Sequence, residues 1–436
     1  MLQSLAFTIL AATSTNNQTL YNAQLLVLLL VITLAVALIS QPLRLPYTLV
    51  LVVVGLAIGF SPLLPDLHLE PDIVLFLFLP ILLFEGAWNV DVKYLRADWL
   101  PIILLAVPGL LLSLFVVAAL LQWGIGLPWL LALLLGAIIS PTDPVAVIAL
   151  LRQLGLPDRL RTIIEGESLF NDGVGAAAFE LVLGFLLISL SPATHEATPS
   201  IFSTILQAFW LMLGGLIIGV GVGLIVARLL RAVDNHLVET TITVCVAYGV
   251  YLLAVMVQTS GLLAVVGAGL VLGSYGQQVG LSKRARQATK EVWGFLSYLI
   301  NSLIFLLLGV QIGESHVLQA LPGVGLALVG VIIGRALMIY LLLPLQNAIA
   351  RRVNRHEQQK PSFFPRPLPL PSHWHPIFLL SGLRGALSIA LVLSLPAKLA
   401  KRDLLEVIVY GVVLVTLLGQ GVGLRILLPR WKAKHE

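Results

Sequence analysis

From Tyr21 onward the chain is a series of long apolar runs broken by short polar or proline-containing clusters. A helix needs ~20 apolar residues to cross a bilayer, and a spanning chain must satisfy its backbone internally. Reading between the breakers predicts about thirteen helical spans. The first six are Tyr21–Ser40, Tyr47–Phe60, Asp72–Trp88, Trp99–Leu121, Pro128–Leu151 and Thr162–Leu190. Ile201–Leu230, Leu237–Val257, Leu262–Tyr275 and Glu291–Gln311 follow, then Leu321–Ala350, His375–Leu395 and Leu404–Leu428.

Two of these runs are broken in the middle. The fifth carries Pro141 and Pro144 around Thr142 and Asp143, and the twelfth carries Gly382 and Gly385 around Arg384. Paired interruptions in the two halves predict an inverted-repeat transporter with its site near the bilayer middle, where freed backbone groups can face an ion.

Basic residues orient the array. Of 26 Lys and Arg, 21 fall in the loops after odd-numbered spans or in the C-terminus. Three (Lys398, Lys401 and Arg402) fall on the other side, and Arg335 and Arg384 lie inside spans. This places the N-terminus outside and the C-terminus in the cytoplasm. The longest inner connection, Arg351 to Ser372, is basic and proline-rich and reads as a linker near the lipid headgroups.

Composition agrees with this picture. Hydrophobic residues make up 58% of the 436 and charged residues only 11%, with a mean hydropathy of +1.00. An average soluble domain carries about 25% charge, so a soluble globule is excluded, as is a disordered chain. A net charge of +5 over this length makes no nucleic-acid face. The single cysteine, Cys245, allows neither an intramolecular disulfide nor a thiolate metal site. The whole chain, 1–436, reads as one transmembrane transporter domain without a soluble regulatory tail, and neither a cofactor nor catalytic chemistry is expected.

Against so apolar a background the ionisable groups inside spans carry the argument, since each costs roughly 2.5–3.5 kcal/mol at mid-membrane. Asp172 lies about ten residues into the sixth span, or ~15 Å at helical rise, and Ser168 is one turn before it on the same face. Oxygen ligands suit hard cations. Low dielectric disfavours a bare carboxylate, so Asp172 is expected to hold either a proton or a cation. Asp143 joins the same site from the fifth span, whose prolines leave the Thr142 carbonyl free for a cation. Asp143 alternatively caps the half-helix that restarts after it. Glu167 and Asn171 share a neighbouring stripe, and a buried Arg335 needs a carboxylate, for which Glu167 is the natural choice. Glu85 is placed for either cation contact or helix packing, Glu165 and Glu180 for boundary or cavity positions, and Arg384 has no evident partner.

The strings EGESLFNDGVG (Glu165–Gly175) and SPTDPVAV (Ser140–Val147) resemble the monovalent cation:proton antiporters of the NhaP and eukaryotic sodium/proton exchanger branch. Supporting strings lie near the start (RLPYTLVLVVVGLAIG), around Glu85 (FLFLPILLFEGAWNVD), around Arg335 (GRALMIYLLLPLQN) and around Arg384 (SGLRGALSIALVLSLP), in family order over nearly the whole chain. The resemblance implies a thirteen-helix fold with dimerisation and core subdomains, two crossing interrupted helices and a homodimer. It implies cation ligation by Asp172, Asp143, the Thr142 carbonyl, Ser168 and Glu85, and a Glu167–Arg335 pair holding the core together. It also implies sodium (or lithium) for proton exchange in the plasma membrane by alternating access, electroneutral because the pair here is Asn171-Asp172. A potassium/proton exchanger on the same scaffold and a cation channel are the competing readings.

Overall fold

A computed structural model describes residues 27–40, 47–60, 71–90, 92–190, 201–314, 317–356 and 367–435. The start of the first expected span, Arg44 and the middle of the basic linker lie outside the described residues. Every other expected span has a helical counterpart. We label these α1 (Val27–Ser40), α2 (Tyr47–Gly59), α3 (Pro71–Asn89), α4 (Trp99–Ile125) and α5 (Trp129–Ile139). Next are α6 (Val145–Gln153), α7 (Asp158–Leu190), α8 (Ile201–Leu229), α9 (His236–Met256) and α10 (Gly261–Val279). The last are α11 (Lys283–Glu314), α12 (Val317–His356), α13 (His375–Leu380), α14 (Ala386–Leu393) and α15 (Arg402–His435).

Among the described residues, eight helices are long and apolar enough to cross a bilayer. Many large apolar side chains face outward, such as Phe209, Ile217, Leu252 and Leu341. That pattern is costly in water and expected in lipid. The protein is an all-helical, multi-pass integral membrane protein.

The helices start and stop for local reasons. The α4 helix ends where Gly126 adopts a left-handed conformation (φ 64°), with its N–H bonded to the Gln122 carbonyl at 3.0 Å. The α9 helix begins at Asn235, whose side chain accepts from the Leu237 and Val238 amides. The α5 and α13 helices stop because prolines or glycines follow them, and α6 and α14 resume the path.

The chain divides into two compact units. In the unit of residues 1–67 and 299–315, α2 meets the end of α11 backbone to backbone. A side chain at Gly55 would collide with the Leu306 carbonyl, and one at Gly309 with that of Val52. Small residues permit this approach, the usual basis of helix association in lipid. The Tyr47 hydroxyl donates to Ser302 Oγ at 3.0 Å.

In the larger unit, α4 packs along α12 and α5, α7 along α5, and α10 along α8 and α3. The described end of the proline-rich linker, residues 367–371, is docked rather than loose. Asn347 exchanges hydrogen bonds with the Leu370 backbone (2.7 and 2.9 Å). Arg159 donates to Asp98 and also to the carbonyls of Leu368 and Pro369.

Candidate functional site

The two interrupted helices meet at their breaks. Ser140–Pro144 separates α5 from α6, and Ser381–Gly385 separates α13 from α14. Proline supplies no amide hydrogen, so the first break leaves carbonyls without helical partners. The structure satisfies them across the crossing. The Asp143 amide donates to the Leu383 carbonyl at 2.8 Å. Arg384 Nη1 donates to the carbonyls of Ser140 and Pro141. Gly385 is in ordinary extended backbone, but a Cβ there would collide with the Asp143 side chain, so the closeness of the breaks requires glycine.

The α7 helix runs beside this crossing and presents two stripes. On one, Ser168 Oγ donates to the Thr142 carbonyl and Asp172 follows one turn later. The Thr142 carbonyl therefore already accepts one hydrogen bond, where the sequence left it free; a buried carbonyl rarely stays unpaired, and its second lone pair remains. On the other stripe, Asn171 Nδ2 donates to Thr142 Oγ1 at 2.8 Å and to Glu167 Oε1 at 3.3 Å. Asn171 Oδ1 accepts from the Thr142 amide at 3.4 Å. Asparagine is suited to this double role because it both donates and accepts.

Glu167 is wholly buried and bonded by the Arg335 fork, Nη1 to Oε1 and Nη2 to Oε2, the latter at 3.0 Å. Arg335 also donates twice to the Phe378 carbonyl and once to Ser381 Oγ, at the C-terminal end of α13. Each interrupted helix thus has an arginine at the carbonyl end of its first half, Arg384 for α5 and Arg335 for α13. Positive charge there opposes the negative end of the helix dipole.

Asp172 is treated differently. It is half-buried, and no described residue supplies it with an ion pair or a side-chain hydrogen bond. The charges acting on it most strongly are Asp143 and Glu167, opposed by Arg384. Asp143 acts on it from the first break, and Ser168, one turn earlier on the same stripe, is bonded to the Thr142 carbonyl. Such a set of oxygen groups suits a small hard cation.

Glu85, on α3, accepts from Asn89 Nδ2 at 2.5 Å and from Ser297 Oγ at 3.5 Å, and it feels the charge of Asp143. Glu165 pairs with Arg152 at 3.3 Å beside a cavity of about 150 Å³, which Asn89 also lines. Glu180 lies about two turns beyond Asp172, hydrogen-bonded to Ser260 with its second oxygen buried and unpartnered. Sequence reasoning missed the role of Arg384. The signal was present, since a proline-broken helix leaves carbonyls and a buried arginine with no carboxylate must find acceptors. Asp98, Ser381 and the Phe378 carbonyl carried no such signal.

A family profile described as "Sodium/hydrogen exchanger, transmembrane" matches residues 2–430. The chain is 36% identical over 416 residues to the Na(+)/H(+) antiporter ApNhaP of Aphanothece halophytica, covering 94% of this chain and 75% of that protein. It is 34% identical over 371 residues to the Na(+)/H(+) antiporter NhaP of Pseudomonas aeruginosa, covering 82% of this chain and 81% of that one. In fold it is similar to the sodium proton antiporter MjNhaP1 of Methanocaldococcus jannaschii, with a TM-score of 0.70 at 22% identity, over 91% of this chain and 95% of that one. The family is one of membrane transporters rather than enzymes, and by both measures of sequence the chain belongs to the sodium/hydrogen exchanger family.

Proposed function

We propose that this chain is a secondary active antiporter that exchanges sodium or lithium ions for protons, one for one and without net charge movement. The observation that carries the reading is the division of labour between two carboxylates five residues apart on α7. Glu167 is fully committed to Arg335, whereas Asp172 is left without a partner among the described residues. A carboxylate in that position must be neutralised from outside the protein, by a proton or by a cation. Competition for the one group couples the two fluxes, because the site crosses the membrane loaded with one or the other. The names of the antiporters from Aphanothece halophytica and Pseudomonas aeruginosa support sodium as the cation.

In this reading Asp143, the Thr142 carbonyl, Ser168 and Glu85 complete the cation's ligands or its approach. Asn171, Glu167, Arg335 and Arg384 hold the crossing in shape. Asn171 is neutral, so the loaded site carries the same charge with a proton as with a sodium ion, which supports electroneutral exchange. Thirteen spans, an outside N-terminus, a cytoplasmic C-terminus and a homodimer in the plasma membrane complete the proposal. The core carrying α4–α7 and α12–α15 moves as a rigid body to expose Asp172 to each side in turn.

Proton flux in proteoliposomes tests this, with sodium, lithium, potassium and calcium compared and with valinomycin present or absent. Sodium- and lithium-driven flux that is indifferent to the clamp is expected. Flux driven by potassium alone, or flux that follows the membrane potential, overturns the ion or the stoichiometry.

A further inference from the structure

At one end of the larger unit lies a cavity of about 620 Å³, separate from the crossing of the broken helices. Its walls are the end of α3, the end of α10, the first two turns of α11, and the short helix Val92–Ala97. The frame is closely packed. A Cβ at Gly273 would collide with the Trp88 backbone, so α3 and α10 touch main chain to main chain. Phe84 stacks on Trp293 with ring centroids 4.3 Å apart, and Trp293 Nε1 donates to Thr243 at 3.0 Å. The cavity is therefore pre-formed.

Its lining is strongly basic. Lys283, Arg286 and Lys290 recur at helical spacing along α11 and turn one stripe toward the space, and Arg96 faces them. Among the described residues no aspartate or glutamate lines it, and Ser274 and Gln278 add uncharged hydrogen-bonding groups. Lys283, Arg286 and Lys290 form no ion pair with any described residue. A fifth positive charge, Arg228, sits over the Tyr275 ring, 5.8 Å from its centroid, behind the wall. Concentrating like charge around a concavity is unfavourable unless an anion occupies it. Several cationic forks and point charges in one hollow match a phosphate group.

We propose that this cavity binds a multiply charged phosphate, either the headgroup of an anionic lipid or a small soluble phosphate compound, and that occupancy tunes transport. The link to the ion site runs through two residues. Asn89 lines the cavity and donates to Glu85, and Ser297, further along α11, donates to the other Glu85 oxygen. Empty, the basic hollow repels cations approaching Glu85. Filled, its field is neutralised, and the local cation concentration near that approach rises. The bound anion lowers the apparent KM for sodium and leaves the maximal rate little changed.

The inference rests on the cation-exchange reading for its transport readout and is independent of it for binding. Binding of pyrophosphate to the full chain in detergent is measured by calorimetry. Saturable binding is expected for the parent chain, with loss in Lys283→Gln/Arg286→Gln/Lys290→Gln. Sodium-driven proton flux is then followed in vesicles of phosphatidylcholine, of phosphatidylcholine doped with phosphatidic acid, and of phosphatidylcholine with pyrophosphate on both sides. A several-fold fall in apparent KM with phosphatidic acid alone assigns a lipid headgroup. The same fall with pyrophosphate assigns a soluble phosphate. The triple variant should keep its maximal rate in phosphatidylcholine, show the lowered apparent KM without any addition, and respond to neither. Should it fail to fold, Lys283→Gln and Lys290→Gln singly are expected to give partial losses. A parent chain that neither binds pyrophosphate nor responds to either addition overturns the proposal, as does a folded variant that responds like the parent. Binding without any flux at all would leave the cavity standing and sink the exchange reading instead.

Discussion

Removing the charge of Glu167 is the most demanding test of the framework around the ion site. In Glu167→Gln the arginine fork of Arg335 loses the carboxylate charge and meets one amide oxygen and one NH2 group instead, while the guanidinium remains almost wholly buried, 4% exposed. Two charge-assisted hydrogen bonds at about 1.5–3 kcal/mol each, less about 0.5–1.5 kcal/mol for the neutral bond that remains, give a loss of about 2–5 kcal/mol. Breaking a buried ion pair from one side costs about 3–5 kcal/mol by comparison with other proteins, so the two routes agree. Arg335→Gln should cost more than Glu167→Gln. It strips the same pair and also removes three donations at the end of α13, two to the Phe378 carbonyl and one to Ser381 Oγ, leaving only the bond between those two. The double variant removes the stranded charge, so its loss should fall short of the sum of the singles by about 1–3 kcal/mol. The assay is thermal or denaturant unfolding of the purified chain in one detergent, all four corners of the cycle measured together. Strict additivity, or equal costs for the two single changes, would refute the bridge to α13 as the source of stability.

Three further outcomes follow from the site. Asp172→Asn should fold and abolish sodium-driven proton flux, and retained coupled exchange would remove Asp172 from the mechanism. Gly385→Ala should force the two breaks apart, losing about 1–3 kcal/mol of stability and most transport, because its methyl occupies the place of the Asp143 side chain; a variant with parental flux would contradict the close approach. Asp98→Asn should loosen Arg159 and with it Leu368 and Pro369, leaving Asn347 to hold Leu370, so limited proteolysis should cut the linker somewhat faster in the variant at unchanged sodium dependence; an unchanged cleavage rate would mean that the Asn347 bonds alone hold the linker.

Much of this arrangement is legible in the chain itself. Apolar runs and breakers place the helices to within a few residues, because lipid allows a spanning backbone few alternatives. The largest differences come at polar helix ends. The α11 helix begins at Lys283 rather than Glu291, and α12 extends to His356 beyond Ala350, since amphipathic turns continue a helix past the hydrophobic stretch that reveals it. The Glu167–Arg335 pair was legible because a buried charge demands its opposite. The Asp98–Arg159 clamp was not, since both residues sit in polar stretches where solvent would serve as well. For Arg384 the sequence showed a need for acceptors but not which ones: backbone carbonyls are the same at every position, and only the fold says which the arginine meets.

The bond between the Asp143 amide and the Leu383 carbonyl also bears on how the chain is made. The partners that close the first break lie far along the chain; Arg384 is separated from Pro141 by 243 residues. At 5–20 residues per second, ribosomal synthesis leaves an interval of roughly 10–50 s between the two. Throughout it, the newborn Ser140–Pro144 stretch carries bare carbonyls that its own helix cannot satisfy. Lipid offers them nothing, so trapped water or the insertion machinery must serve until α13 and α14 arrive. Loss of Arg384 or Gly385 would leave that interval unchanged but remove the event that ends it, so the break would stay open after synthesis and the finished chains would be degraded.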